Sequence, residues 1–343
     1  MAENDKKLYP LKFKPVSRPL GYGTETFHIA DTGEVDSAVL QGWLEGNTLG
    51  EIMETFLDGI SGEGPYYYTG RQFPLMIRTL QTVSDSPVLV SPSDAVAASR
   101  YDSLGKAKLW YVLDASKGSF LRIGLAEDVS AENFCKLCAD GTLHEAMNNV
   151  EPVRGKAYLI KPGTLHQVSA GIKILEIAQA SALEIPVCGG GAGIDVVYDV
   201  IDFVDLEKHC GCDGECHCHD EGCGCGHDGD CECGHHHDDG EDHHHHDDGK
   251  IADTQEFTVT RLELADPMHI YPENFGSFLV YTCLEGSAAV RPDDGAFPCE
   301  LAPGESVLIP ADMQDLVLFP QKPGTVLLES VMLRDLPPQE DAA

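Results

Sequence analysis

Residues 209–249 read HCGCDGECHCHDEGCGCGHDGDCECGHHHDDGEDHHHHDDG, with no aliphatic residue and no Phe, Tyr, Trp, Lys or Arg. Nothing in this stretch can be buried in a packed core. It therefore divides the chain: what folds must fold from the residues before it and after it, and the stretch itself is expected to be a disordered insert. Its residues are metal donors. The cysteines form four Cys-x-Cys pairs: Cys210 with Cys212, Cys216 with Cys218, Cys223 with Cys225, and Cys231 with Cys233. The histidines are His209, His217, His219, His227, His235, His236, His237, His243, His244, His245 and His246. Thiolates and imidazoles at this density bind zinc or another transition metal. At four donors per tetrahedral ion they complete at most about four zinc sites. The signal is strong for metal and weak for which metal.

The formal net charge of the 343-residue chain is −34, and the thirteen acidic residues of the insert leave −21 for the rest. Such a chain repels nucleic acid and anionic membrane and attracts cations. No apolar run approaches the length of a membrane span, and MAENDKKLYPLKFKP lacks the apolar core of a secretory signal. A cytoplasmic location is expected. In a reducing compartment clustered cysteines read as metal ligands rather than bridges. The other five, Cys135, Cys138, Cys188, Cys283 and Cys299, are scattered. Cys135 and Cys138 lie in a helical segment and read as small core residues.

Before the insert, 37–60 is helical in pattern, with Asn47 or Thr48 as cap. Residues 108–115 and 119–125 are strands joined by Ser-Lys-Gly, and 130–150 returns to helical spacing with Ser130 as cap. Residues 155–179 alternate, break at Pro-Gly and alternate again. GGGAGI (189–194) reads as a connection rather than a phosphate cradle. After Lys250 the pattern is strand throughout, as FTVTRLEL, GSFLVYTCLEGSAAV, ESVLIPADMQDLVLF and GTVLLESVML. Short strands punctuated by turns point to sandwiches or barrels. GKAYLIKPGTLHQV (155–168) aligns without gaps on GESVLIPADMQDLV (304–317), with His166 falling on Asp315. Two β-barrels of similar plan follow from that echo, the first able to bear a ligand that the second lacks.

Several runs, in order, carry a resemblance: YPLKFKP, GNTLGEIME, FPLMIRTLQTVSDSPVLVSPSDAVA, GKAKLWYVLDA, KAYLIKPGTLHQVSAGIKILEIAQAS and GESVLIPA. Together they resemble the class I mannose-6-phosphate isomerases over nearly the whole chain apart from the insert. The resemblance implies a mostly β fold with α additions, a double cupin of two small β-barrels. The expected division is 1–200 for an N-terminal cupin with helical additions, 201–250 for linker and insert, and 251–343 for a C-terminal cupin. It also implies aldose–ketose isomerisation of a hexose 6-phosphate at one zinc in the first barrel.

The family's ligands are a Gln and a His flanking one residue before Pro, a Glu in Gly-Lys-x-Glu, and a His in Gly-Thr-x-His; an Arg after the Glu-Ile-x-Gln strand assists catalysis. His166 matches the late histidine, and Lys106 matches the Lys of Gly-Lys-x-Glu. The remaining positions depart. Leu89 and Ser91 stand where Gln and His belong, Lys108 where Glu belongs, and Pro186 where Arg belongs. Leucine has no donor atom, a neutral hydroxyl is a poor ligand, and an ammonium repels a cation at short range. Catalytic zinc normally takes three protein ligands, and one remains. Lys108 could replace the missing cation or, neutralised, act as a base. Lys106 either contacts a phosphate or sits on a barrel rim, and Asp94 and Lys161 lie near the expected pocket without an assigned role.

The expectation is thus a divergent, catalytically impaired isomerase-like cupin, with transition metal held mainly by the insert. Its small-molecule partners would be metal ions and a hexose phosphate, with no nucleic acid and no membrane. The alternatives are an active mannose-6-phosphate isomerase with a relocated metal site, and a metal storage or delivery protein.

Overall fold

Alternation along the strands decides which side chains enter each barrel. In the run LMIRTLQT, Met76, Arg78 and Leu80 point one way while Leu75 and Ile77 point the other, and nearly all are buried. A strand buried on both faces must have a layer packed on each side. The computed structural model describes residues 7–126, 129–188, 197, 199–201, 249–295, 297–334 and 336, so the Cys/His-rich stretch and the glycine run lie outside the described residues.

The first half contributes β1 (Val16–Leu20), β2 (Gly23–Ile29), β3 (Leu75–Thr82), β4 (Leu89–Val90), β5 (Lys108–Ala115), β6 (Leu121–Leu125), β7 (Met147–Val150), β8 (Ala157–Ile160), β9 (His166–Val168), β10 (Ile172–Gln179) and β11 (Ile185–Pro186). The second contributes β12 (Lys250–Asp253), β13 (Thr258–Leu264), β14 (Met268–Ile270), β15 (Leu279–Glu285), β16 (Ala288–Pro292), β17 (Cys299–Leu301), β18 (Ser306–Ile309), β19 (Leu316–Pro320) and β20 (Thr325–Val331). The sheet orders are β1-β2-β3-β10-β5-β8 facing β11-β4-β9-β6-β7, and β12-β13-β20-β15-β18 facing β14-β19-β16-β17. The second pair repeats the plan of the first: β3-β10-β5-β8 corresponds to β13-β20-β15-β18, and β4-β9-β6-β7 to β14-β19-β16-β17. The echoed segments thus hold equivalent places, His166 opening β9 and Asp315 standing just before β19.

Each barrel has its own core. Leu80, Val112 and Ile174 meet Leu121 and Val168 across the first. Leu279, Tyr281 and Leu327 meet Ala288, Leu316 and Leu318 across the second. A third core joins the halves: Ile77, Leu109 and Leu175 on the outer face of the first large sheet pack with Val259, Val280 and Leu328 of the second. Three helices, α1 (Leu49–Phe56), α2 (Asp58–Ser61) and α3 (Glu63–Thr69), lead from β2 to β3, and α4 (Asp94–Tyr101) follows β4. Leu49, Ile52 and Met53 of α1 extend the joining core.

Three segments of the structure depart from the sequence expectation. Helix does not run through 37–60: residues 37–48 are irregular, tied by the bridges Phe13↔Val39 and Ala38↔Thr48, and α1 starts after Thr48. Gly42 and Gly46, both at positive φ, break the helical pattern. Thr48 is the cap, in a reciprocal capping box with Glu51. In 130–150, only α5 (Ala131–Asp140) is α-helix, capped by Ser130; a short 3-10 turn and β7 follow. Finally, Cys135 is exposed and Cys138 is bonded to Cys188, so the pair is not a set of inert core residues. Position 135 lies on the outer side of α5, whose buried contact is Phe134.

Candidate functional site in the first barrel

The inward side chains of β3, β5 and β10 sort into two tiers. Leu80, Val112 and Ile174 form an apolar floor. Next to it Glu176 stands in register with Arg78 on one side and Trp110 on the other, while Lys108 pairs with Ala178 one step along the same face. Glu25 of β2 and Glu184, just before β11, complete a ring of charges. Arg78 contacts Glu25 at 2.6 Å, Glu176 at 2.8 Å and Glu184 at 3.3 Å. Lys108 Nζ is ion-paired to Glu184 and lies 3.1 Å from His166 Nε2. Lys106 Nζ is 3.5 Å from Glu184 and 4.0 Å from Glu176. Trp110 Nε1 donates to the second oxygen of Glu176 at 2.9 Å, and its ring stands edge-on to the imidazole of His166. At the outer end Arg18 bridges Glu25 and Glu34.

Three largely buried carboxylates therefore face three buried cations, which offsets a desolvation cost that none could bear alone. Burial pushes Glu176 up, but Arg78, Lys108 and Lys106 outweigh it and hold the carboxyl down to about 2. Glu184 is likewise held well below the usual carboxylate range against burial, by Lys106, Lys108 and Arg78. Burial lowers Lys106 to about 8; Glu184 opposes the change, and the neighbouring cations Arg78 and Lys108 reinforce it.

The protonation of His166 follows from its neighbours. Nδ1 lies 2.8 Å from the carbonyl oxygen of Thr164. A carbonyl only accepts, so Nδ1 carries the proton and Nε2 offers its lone pair. The Lys108 ammonium donates to that lone pair. Burial, and then the ammonium, push the imidazole down to about 3 and keep it neutral.

The structure brings several sequence-singled positions together. Pro186 pairs with Leu89, and Leu89 pairs with His166, so three of them lie side by side on β11, β4 and β9. Ser91 is buried, and its hydroxyl has no hydrogen-bond partner. Lys106 is not on a rim but 2 % exposed inside the charged tier. Asp94, the first residue of α4, accepts from Gly105 N and Gln179 Nε2 and is structural. Lys161 is exposed and stands outside the charged tier. Arg78, Glu25, Glu176, Glu184, Trp110 and Tyr22 were missed in the sequence. The available signal was a charge interrupting an apolar strand, as in LMIRTL and KILEIA, since such a charge at an inward position must be paired.

The metal donors expected in the insert all lie outside the described residues. They are Cys210, Cys212, Cys216, Cys218, Cys223, Cys225, Cys231 and Cys233, with His209, His217, His219, His227, His235, His236, His237, His243, His244, His245 and His246. Among the described residues, no three His, Cys, Asp or Glu side chains converge as a metal site. Beside the charges lies a cavity of about 160 Å³ lined by Arg18, Tyr22, Glu25, Thr32, Arg78, Lys106, Ser181 and Glu184 among others. Against His166 the space shrinks to about 10 Å³ between Tyr22, Leu89, Trp110, Glu176 and Glu184.

No family model matches the sequence. A putative mannose-6-phosphate isomerase, YvyI, of Bacillus subtilis is 23 % identical over 289 residues, spanning 82 % of this chain and 81 % of that protein. The mannose-6-phosphate isomerase ManA of the same organism is 28 % identical over 189 residues, 50 % of this chain and 58 % of that one. Among solved structures, the mannose 6-phosphate isomerase from Bacillus subtilis superimposes with a TM-score of 0.70 at 19 % identity, covering 94 % of this chain and 99 % of that chain. A putative mannosephosphate isomerase from Archaeoglobus fulgidus gives 0.68 at 18 % identity, covering 95 % and 98 %.

Proposed function

From its standing as a divergent member of the mannose-6-phosphate isomerase family, we infer that this chain has lost metal-dependent isomerisation in its first barrel. In this reading an internal ammonium takes the cation's place, and transition metal is held by residues 209–249. The observation that carries the reading is Lys108 Nζ, wholly buried, set between His166 Nε2 at 3.1 Å and the Glu184 carboxylate. The one retained ligand has its lone pair engaged by a positive group.

The residues present do not fit a catalytic zinc ion. Leu89 has no donor atom, Ser91 offers a neutral hydroxyl, and Lys108 is a cation. His166 is left as one ligand where three are normal. The remaining space of about 10 Å³ against His166 would admit no more than one water-sized body. What persists is the adjoining cavity, where Arg18, Arg78 and Lys106 stand against Glu25, Glu34 and Glu184 beside the hydroxyls of Tyr22, Thr32 and Ser181, a polar lining that suits a polyhydroxylated ligand such as a hexose phosphate.

The test is formation of fructose 6-phosphate from mannose 6-phosphate by the intact chain across a zinc titration. No turnover at any metal load is expected. Metal-dependent turnover that survives deletion of 209–249 would overturn the reading and restore an active isomerase. Installing Lys108→Glu with Ser91→His should return measurable bound zinc to the deleted chain.

A further inference from the structure

The two lysines of Gly-Lys-Ala-Lys are placed differently. Lys108 is clasped by His166 and Glu184 and does not line the 160 Å³ cavity. Lys106 does line it, and its charge partners stand farther off, at 3.5 Å and 4.0 Å. That space holds several waters, or a short carbon chain. Around it stand Arg18 and Arg78, the hydroxyl of Ser181, the phenol of Tyr22 and the carboxylate of Glu184.

We propose that Lys106 is a covalent binding site for small open-chain carbonyl compounds, taking the aldehyde or ketone of a polyhydroxylated or phosphorylated ligand as a reversible imine. The class of ligand rests on the reading of the cavity given above; the covalent step rests on the placement of the amine.

The nitrogen lone pair of the neutral amine bonds to the carbonyl carbon, and the C=O π pair moves to oxygen. One proton passes from nitrogen to oxygen to give a carbinolamine, whose hydroxyl then leaves as water. One amine and one carbonyl thus give one imine and one water, with no oxidant or reductant. The ammonium proton goes first to solvent, since Glu184, the carboxylate nearest to Nζ, is held well below the usual carboxylate range. Tyr22, which burial keeps protonated, is a donor in the cavity wall. Burial together with Arg78 and Lys108 favours the neutral amine, while Glu184 and Glu176 oppose it; the balance lies at about 8. That leaves on the order of 100-fold more free amine than an ordinary lysine holds near neutral pH. Cationic neighbours activate amine nucleophiles in this way.

The test incubates the full chain with glyceraldehyde 3-phosphate and sodium cyanoborohydride and locates the reduced adduct by mass spectrometry of peptides. Lys106 should be labelled at least about tenfold faster than exposed Lys136, a conservative fraction of the gain given above. Lys106→Arg, which keeps the charge, should abolish that adduct without altering the circular dichroism. An unlabelled Lys106, or one labelled no faster than Lys136, would overturn the proposal. The readout needs no turnover, so it fails independently of the functional reading: adduct with zinc-dependent isomerisation sinks only the latter.

Discussion

At the scale of one residue, Lys108 decides how the first barrel holds together. Its removal leaves Glu184 buried with Lys106 and Arg78 as remaining partners. Breaking a buried pair costs about 3–5 kcal/mol, and the surviving partners put Lys108→Met near the low end, about 3 kcal/mol in urea unfolding. The same substitution removes the ammonium that repels a proton from His166 Nε2, so the imidazole pKa should rise from its depressed position of about 3 in an NMR titration. The intact chain carries a related pH dependence. His166 takes its proton near 6.5 when unfolded and near 3 when folded. Between those values the unfolded state binds more protons, so its contribution is complete above 6.5 and lost as pH falls toward 3. The slope reaches about 1.4 kcal/mol per pH unit. Urea midpoints of the intact chain and of His166→Gln, compared from neutrality to about pH 4, should differ in slope, the variant being flatter. The carboxylates act lower: Glu176, depressed to about 2, keeps its full contribution above the ordinary glutamate range near 4.3 and loses it as pH falls through about 2. Of this chemistry the sequence made legible His166, Lys106 and Lys108 as positions worth locating. It did not make legible that Glu184 meets both lysines. That contact is 76 residues from Lys108 along the chain and depends on β11 returning beside β4.

At the scale of elements, close backbone approach fixes how the helices dock on the second half. Gly64 of α3 leaves no room for a methyl group: a Cβ there would lie 1.8 Å from the carbonyl oxygen of Arg334. Gly62, between α2 and α3, has φ +89° and would place a Cβ 2.2 Å from the carbonyl oxygen of Gly276. Backbone cannot yield as a flexible side chain can, so Gly64→Ala should cost about 1–3 kcal/mol by overpacking. Gly62→Ala adds the penalty of a left-handed backbone to a similar clash. Both are checked by unfolding, with Gly70→Ala as a control, since Gly70 has φ +62° but open space around it. Local signals of this kind were partly readable. Ser130, and Thr48 as one of two candidates beside Asn47, stood out as caps because a side-chain oxygen before an amphipathic run satisfies end N–H groups. The irregular path of 37–48 was hidden because Leu40, Trp43 and Leu44 recur at a three- and four-residue spacing that mimics a helix, while the residues that reach the joining core, Val39 and Leu44, are five apart.

At the scale of the whole molecule, two barrels joined through one core account for the described residues, and the Cys- and His-rich run 209–249 falls in a different part of the sequence. The double-barrel plan was legible from the echo of 155–168 in 304–317 and from the family resemblance. The joining core was not, because strands buried on both faces show weak alternation. The described residues hold the cores of both barrels, and no metal-ligand cluster is found among them. A ligand stabilises a fold only as far as it binds that folded state more tightly than the unfolded one. Metal held by 209–249 should bind without deciding the stability of the barrels. Zinc titration of the intact chain should saturate at no more than about four ions, the limit set by nineteen Cys and His donors. Deleting 209–249 should remove those ions and shift formal charge from −34 to −21. The thermal midpoint of the barrels should stay within about 1 °C, less than the roughly 1.5 °C that a 1 kcal/mol change would produce in a chain of this size. A chelator should leave the midpoint of the intact chain equally unmoved. A barrel that melts early on chelation would place a structural or catalytic ion inside it, and equal stoichiometry in the two chains would remove the insert from metal binding altogether.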